Sequence, residues 1–170
     1  MKLINILFLV GLLFSLAGCI KNEEVVYERN PVVEFDAATW NAKASGQNYP
    51  ILTRVPPVGR AANTNDPSLK RTSGTINIRV NLVGPQQSTD SEILFEVMSS
   101  KTTAIMGYHF APITGKVIIP ANSNFGEIPL TIYNTGNAAD YPVDIALQLI
   151  STSKIYSSEN YKIIVLRVAP

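Results

Sequence analysis

Apolar and polar residues alternate with a period of two in several short segments, and this pattern constrains the fold most strongly. In residues 76–82 and 143–149, isoleucine, valine or leucine occupies every second position, and polar or small residues lie between them. Such alternation predicts a β-strand with one buried and one solvated face. Beyond the N-terminal segment, no window shows the helical period of 3.6 residues. We therefore expect an all-β chain.

Less regular alternation predicts the remaining strands. They are expected at residues 31–36, 92–98, 117–119, 128–132 and 161–168, with a further short strand inside 49–55. Pro31 and Pro129 cannot donate to a strand ladder, so we expect 31–36 at a sheet edge and 128–132 unpaired or bulged on one side. Residues 161–168 are apolar at nearly every position and should form a central strand.

The stretch from Val55 to Ser73 lacks a period-two pattern. Its prolines, Pro56, Pro57 and Pro67, donate no amide to a ladder. We expect it to be a mobile surface loop outside the sheets, and whether it is functional is left open.

The predicted strands, about seven or eight in number, are separated by turn residues. This arrangement is typical of a β-sandwich with Greek-key connections, and a closed barrel is the structural alternative. A sandwich is favoured because strands with one apolar face supply two sheets that must cover each other. Residues 31–170 are long enough for one such domain with its own core.

The N-terminal segment predicts export and lipidation. In residues 1–18, Lys2 precedes an apolar run that is too short to span a bilayer and then small residues, as in a signal peptide. Leu16-Ala17-Gly18-Cys19 resembles a bacterial lipobox, in which the cysteine is lipidated. Cys19 is the only cysteine, so no intramolecular disulfide can form. We expect residues 19–30 to be a flexible tether between a membrane anchor and the domain.

The charge balance argues against a polyanionic partner. The chain has 14 Lys and Arg and 13 Asp and Glu, so removal of Lys2 with the signal peptide leaves 13 of each in residues 19–170. These basic residues are scattered along the chain, whereas nucleic-acid binders cluster them on one face. No nucleic-acid partner is expected.

Candidate catalytic residues are few. His109 is the only histidine, which excludes a histidine-dependent triad and a multi-histidine metal site, so a local turn role is favoured. A glycosidase needs two carboxylates about 5–10 Å apart across a cleft. The acids in or beside strands fall mostly at outward positions, which solvation explains: Glu34, Glu92, Glu96, Glu127 and Asp144. We expect no enzyme and no cofactor.

Two aromatic residues in the irregular region are the candidate ligand contacts. Trp40 and Tyr49 lie between predicted strands, and aromatic rings presented on loops can hold a sugar face or a partner protein. The alternative is that Trp40 covers the core where the first strand ends.

The pattern of turns and strands resembles the Calx-beta-related domain of Bacteroidetes lipoproteins of unknown function. The resemblance covers residues 31–168 and rests on Asn81-Leu82-Val83-Gly84-Pro85, Gly107-Tyr108-His109-Phe110, Gly115-Lys116-Val117-Ile118-Ile119-Pro120 and Leu147-Gln148-Leu149. It implies an immunoglobulin-like sandwich on an outer-membrane lipoprotein, at the surface or on the periplasmic face, often associated with glycan uptake.

The same resemblance bears on calcium. Calcium-binding relatives carry several acids in their loops, whereas the corresponding positions here hold Asn134, Gly136 and Asn137, with Asp140 and Asp144 nearby. Calcium takes six to eight oxygen ligands, so no metal site is expected.

Two functions remain open. One is a non-catalytic binding or accessory module that engages glycan or an outer-membrane transporter component. The other is a structural or adhesive lipoprotein that acts as a spacer or assembly subunit.

Overall fold

A computed structural model describes residues 29–40 and 43–170. These residues form nine strands, one short helix and one turn of 3-10 helix. The predicted signal peptide (1–18) and Cys19 lie outside the described residues. The strands are β1 (Val32–Phe35), β2 (Ile51–Leu52), β3 (Thr75–Val83), β4 (Ser91–Val97), β5 (Lys116–Ile119), β6 (Phe125–Thr131), β7 (Val143–Ile150), β8 (Tyr156–Ser157) and β9 (Ile163–Val168); helix α1 is Ala37–Trp40, and the 3-10 turn is Ala138–Asp140.

The strands make two sheets that pack face to face. Sheet A has the order β6-β3-β1-β8, and sheet B has the order β2-β9-β7-β4-β5. Only the β4–β5 connection stays within one sheet, and every other connection between described strands crosses to the opposite sheet. Neighbouring strands are antiparallel except for the short pairs β1–β8 and β2–β9. The fold is the predicted sandwich rather than a barrel.

The core is built from the residues whose alternation predicted it. On β3, Ile76, Ile78, Val80 and Leu82 are buried, and on β7, Val143, Ile145, Leu147 and Leu149 are buried. They face each other across the sandwich in one apolar cluster, together with inward residues of β1, β4, β5, β6 and β9. Burial of this apolar surface is the main stabilising term of the fold.

The edge predictions have mixed outcomes. Strand β6 is an edge strand of sheet A, which confirms that Pro129 lies where one side of the strand is unpaired. Strand β9 is central, as predicted. The prediction for β1 is wrong, because β8 pairs with it in parallel, and the Tyr156 amide donates to the Pro31 carbonyl at 3.0 Å. A proline at the start of a strand lacks the backbone N–H donor, but its carbonyl oxygen can still accept a hydrogen bond from a neighbouring strand.

The strand registers define two ends of the sandwich. The pairs Val32↔Val83 and Ser91↔Ile119 place the start of β1 beside the β3–β4 and β5–β6 turns, which we call the N-terminal end. The opposite, distal end carries the connections 98–115 and 132–142.

The sandwich also has two side edges. At one of them β5 and β6 pack directly against each other. A Cβ atom on Gly126 of β6 would lie 2.4 Å from the Ile118 carbonyl oxygen of β5, a distance that real Cβ atoms do not adopt. Only glycine permits this approach. The other side edge carries β2, and it is closed differently.

Candidate functional site

A cavity of about 300 Å³ opens at the β2 edge of the sandwich. Helix α1 and β2 form its inner wall, and residues 61–64 of the long loop form its outer wall. About 300 Å³ is the lower limit for small-molecule pockets and corresponds to the volume of roughly ten waters. We call it the Trp40 cavity; its lining residues in the described chain are Thr39, Trp40, Ile51, Leu52, Thr53, Arg54, Ala61, Ala62, Asn63 and Thr64.

Asp36 positions the helix that carries Trp40. Its carbonyl accepts the amides of Thr39 at 3.0 Å and Trp40 at 2.8 Å, which closes the single turn of α1. Its buried carboxylate accepts from the Thr39 hydroxyl at 2.6 Å and from the Asn81 side-chain amide at 3.1 Å. The helix is therefore attached to sheet A, because Asn81 belongs to β3.

Trp40 lies between the core and the cavity. Only 6% of its surface is exposed, and it packs in the main apolar cluster while also lining the cavity. Its indole Nε1 is buried and has no hydrogen-bond partner in the described part of the chain. The indole N–H can only donate, and a buried donor without an acceptor is costly. Trp40 therefore packs in the core, as the alternative prediction had it, and its indole N–H is buried without an acceptor in the described residues.

The outer wall is anchored by a buried carboxylate. Asp66 accepts from both terminal nitrogens of Arg60, at 2.9 and 2.5 Å, and from the Asn63 amide at 2.8 Å. The Arg60 hydrogen bonds, followed by the Asn63 amide, hold the pKa of the Asp66 carboxyl below its ordinary value. The Gly59 amide donates to the Thr39 hydroxyl at 2.8 Å, which joins this loop directly to α1.

The expectation for Val55–Ser73 is partly wrong. The Val55 amide donates to the Pro67 carbonyl and the Leu69 amide to the Thr53 carbonyl, each at 2.9 Å, so the ends of the loop pair with each other. Leu69 is 1% exposed and belongs to the core, and Lys70 forms a bridge with Ala169 beyond the end of β9. A single inward leucine among polar residues gives no period-two signal, which is why the pattern missed it.

Tyr49 does not share the cavity with Trp40. It packs with Ala146 and Val165 on the outer face of sheet B, in a cluster separate from the main core. The Lys101 ammonium lies 4.6 Å from the centroid of its ring. The structure therefore places the two predicted contact residues on opposite faces of sheet B, and both rings are more buried than a loop-presented platform would be.

His109 is part of a turn at the distal end. Its Nδ1 accepts the Ile105 amide at 2.8 Å, and its ring makes edge contacts with Tyr108 and Tyr141 at centroid distances of 4.8 and 5.5 Å. These contacts are the local packing that the sequence favoured. Next to it, the Tyr108 hydroxyl donates to Asp140 at 2.9 Å, and this bond raises the pKa of Tyr108.

The strand carboxylates have partners away from the cavity. Glu92 pairs with Lys116 at 3.0 Å, and Glu127 accepts from Asn77. Asp144 accepts from Nε and Nη2 of Arg167 at 2.8 and 2.7 Å. Burial raises the pKa of Glu34 on β1, partly offset by the Ala37 amide. Glu96 is exposed on β4, and none of these five acids lines the Trp40 cavity.

A family model for a domain of unknown function (DUF4843) matches residues 67–166. The chain belongs to this family. The match runs from the last residues of the long loop into β9, where it ends at residue 166, and it includes neither α1 nor β2. A search of curated proteins finds no match.

Solved structures resemble this DUF4843 protein in fold. The apo-form Calx CBD1 domain superposes with a TM-score of 0.55 at 10% identity, covering 83% of this chain and 97% of that one. A structural-genomics protein of unknown function from Bacteroides ovatus gives a TM-score of 0.49 at 12% identity, covering 82% of this chain and 52% of that one. The CBD1 similarity supports an immunoglobulin-like sandwich of the Calx-beta type.

In this DUF4843 protein, the two acids near the turn at residues 134–137 accept hydrogen bonds from other side chains. Asp140 accepts from Tyr108 and from the Asn137 side chain, and Asp144 is held by Arg167. The described residues contain no group of three or more His, Cys, Asp or Glu placed to hold a metal ion. In the same residues, no helix has the length and apolar character needed to cross a bilayer.

Proposed function

We propose that this protein is a non-catalytic binding module of a cell-surface glycan or nutrient-uptake system, anchored to the outer membrane by lipid at Cys19. The observation that carries the binding role is the Trp40 cavity, a partly open, mostly apolar space lined by Trp40 of α1, by β2 and by the long loop. Concave apolar sites with a few placed polar groups are the usual form of a small-molecule site. A transporter component of the outer membrane is the proposed partner.

The arrangement of the chain suits such a role. The described chain starts at the N-terminal end of the sandwich, directly before β1. An anchor preceding it would leave the β2 edge and the distal end free of the membrane. The cavity would then be open to ligand while the protein is tethered.

Filling the cavity tests the binding role. Ala62 lies on the outer wall, so Ala62→Trp should occupy the space without disturbing the core. Ala139→Trp, at an exposed site on the distal end, is the matched control. On a glycan array, we expect the parent and Ala139→Trp to bind the same glycans and Ala62→Trp to lose at least tenfold in signal. Equal binding by all three proteins would contradict the proposal.

Lipidation is tested separately. Mass spectrometry of the mature protein from its native host should show an acylated Cys19 as the first residue. Recovery of an unmodified Cys19, or of a chain still starting at Met1, would contradict the anchor, and Cys19→Ser should release the protein from the membrane fraction.

A second candidate, an adhesive or assembly role, is favoured by exposed apolar side chains at the distal end. Ile105, Met106 and Tyr108 project from one turn, and Ile105 is 59% exposed. Exposed apolar groups of this kind can mark protein contacts. Sedimentation of the parent and of the double variant Ile105→Ser, Met106→Ser decides this point: self-association that the variant abolishes would favour the second candidate.

A further inference from the structure

Arg54 is the one charged residue that lines the Trp40 cavity in the described part of the chain. Its Nη1 donates to the Asp66 carbonyl at 2.5 Å and lies 3.5 Å from the Ser68 hydroxyl. Among the described residues, Nε and Nη2 make no hydrogen bond, and neither atom is buried without a partner as Trp40 Nε1 is. A guanidinium is always charged and carries five N–H donors. Most of the donors of Arg54 are therefore available to a ligand.

The neighbouring acids do not neutralise Arg54. The Asp66 carboxylate is paired with Arg60, and the contact between Asp66 and Arg54 is made by the backbone carbonyl. Arg54, Arg60 and Asp66 together leave one positive charge on the loop side of the cavity. Asp36 is buried against sheet A, where it accepts from Asn81 of β3. Neither acid lines the cavity, so an anion that enters would meet a positive charge and no lining carboxylate.

The chemistry of one arginine favours a carboxylate among the common anions. The planar guanidinium matches the two oxygens of a carboxylate, and such pairs form short, charge-assisted hydrogen bonds. A phosphate monoester carries nearly two negative charges at neutral pH. It would be better matched by two cations, whereas only Arg54 lines the described wall. A group with one negative charge and two coplanar oxygens fits this site.

The remaining lining suits a sugar ring. At about 30 Å³ for each water-sized group, a cavity of about 300 Å³ holds roughly ten non-hydrogen atoms, which is close to one hexose ring. In the described residues, no hydrogen bond uses the hydroxyls of Thr53 and Thr64 or the side-chain NH2 of Asn63, so these groups can bond to sugar hydroxyls. The apolar lining residues can contact the C–H faces of the ring; they are Ile51, Leu52, Ala61 and Ala62.

We infer that the Trp40 cavity binds a sugar ring that carries one carboxylate, and that Arg54 pairs with this carboxylate. The cavity is partly open, so the rest of a glycan can extend outward while its terminal ring lies inside. The ligand class is therefore an acidic glycan that ends in a uronate. This inference rests on the proposed function and deepens it by naming the ligand class and the residue that selects it.

Two probes that differ at a single carbon test the preference for charge. They are methyl β-D-glucopyranosiduronate and methyl β-D-glucopyranoside, and D-glucosamine supplies a cationic ring. In the full-length 15N-labelled protein, the backbone amide signals of residues 61–64 report binding at the cavity. We expect the uronide to bind with a dissociation constant of about 1 mM, typical for so few atoms. The glucoside and glucosamine should bind at least about tenfold more weakly, because they lack the charge-assisted pair.

Three variants separate the charge from the space. Arg54→Gln should weaken uronide binding at least about tenfold and leave glucoside binding within about twofold, because only the uronide uses the charge. Lys116→Gln removes an exposed positive charge at the β5 edge, away from the cavity, and should bind like the parent. Ala62→Trp leaves Arg54 in place and should abolish uronide binding, which tests the site even if Arg54→Gln fails to fold.

The outcomes distinguish this inference from the proposed function. If Ala62→Trp loses glycan binding on the array but the parent binds the glucoside as tightly as the uronide, or does not respond to the uronide, the inference is overturned and the binding role stands. Unchanged uronide affinity in a folded Arg54→Gln variant would also overturn it. If the uronide binds with the expected dependence on Arg54 while no array glycan binds, the inference stands and the glycan-uptake role fails.

Discussion

The two side edges of this sandwich are closed in opposite ways. At the β5–β6 edge, two strands pack so closely that only glycine fits at position 126. At the β2 edge, a two-residue strand, one helical turn and a long loop are joined by hydrogen bonds, and a cavity remains between them. Direct strand packing leaves only a smaller cavity of about 130 Å³ at that edge, lined by Lys116 of β5 and by Ile128 and Pro129 of β6. A closure made from a helix and a loop leaves room, because its parts meet through a few polar contacts.

The largest expected effect tests whether the β2 edge belongs to the core. Leu69→Ala should lower the free energy of unfolding by about 2–5 kcal/mol, because Leu69 is buried in the main cluster. Leu94→Ala, at a 38% exposed site on β4, is the control and should cost less than about 1 kcal/mol. Urea unfolding measures both. A cost below 1 kcal/mol for Leu69→Ala would mean that residues 67–71 are the surface loop that the sequence predicted.

A substitution at the close-packed edge should cost somewhat less. Gly126→Ala places a methyl group against the Ile118 carbonyl, and overpacking of this kind costs about 1–3 kcal/mol. Gly136→Ala is the matched control: it has φ of 81° but nothing within 4 Å of the added Cβ, so only backbone strain of about 1 kcal/mol is expected. If the two variants melt at the same temperature, the approach of β5 and β6 is looser than described.

A smaller effect concerns the anchor of the loop. Asp66 has a folded-state pKa below its unfolded value, so it stabilises the protein above the unfolded pKa of about 4 and loses that contribution as pH falls through the folded pKa. Asp66→Asn should therefore melt at a lower temperature than the parent at pH 7, and the difference should shrink between pH 5 and pH 3. A difference that stays constant to pH 3 would exclude the ionised carboxylate as its source.

The smallest expected effect is at the β5 edge again. Glu92→Gln removes an exposed ion pair with Lys116 and should change the unfolding free energy by less than about 0.5 kcal/mol. A larger loss in calorimetry would show that this edge depends on charge as well as on packing.

Much of the fold was predictable because each of its main strands has one buried apolar face. The alternation in β3 matches its burial residue by residue, and that in β7 does so except at Ala146, which is buried in the cluster with Tyr49. Pro129 correctly indicated an edge. Short elements could not be predicted in the same way. Strand β8 has two residues and α1 has four, so neither is long enough to repeat its period of 2 or 3.6 residues, and both depend on contacts with distant residues.

The site was only partly predictable for a related reason. An aromatic residue in an irregular segment drew attention to Trp40, which lines the cavity, and its contact with a ligand stays a prediction. Sequence alone does not say which side of a sheet such a segment covers. Tyr49 follows Trp40 by nine positions and lies on the other face of sheet B. The turn before Asp66 left a local trace, since the Asn63 side chain accepts the Asn65 amide two residues later, as in an Asx-turn.

The buried position of the single tryptophan also gives the protein an intrinsic optical probe of one edge. Circular dichroism would report the strands of both sheets, whereas tryptophan fluorescence would report the surroundings of α1, β2 and the loop alone. If the polar closure of the β2 edge opens before the sheets unfold, the fluorescence transition should precede the dichroism transition during denaturation. Coincident transitions would mean that the β2 edge and the sheets unfold as one cooperative unit.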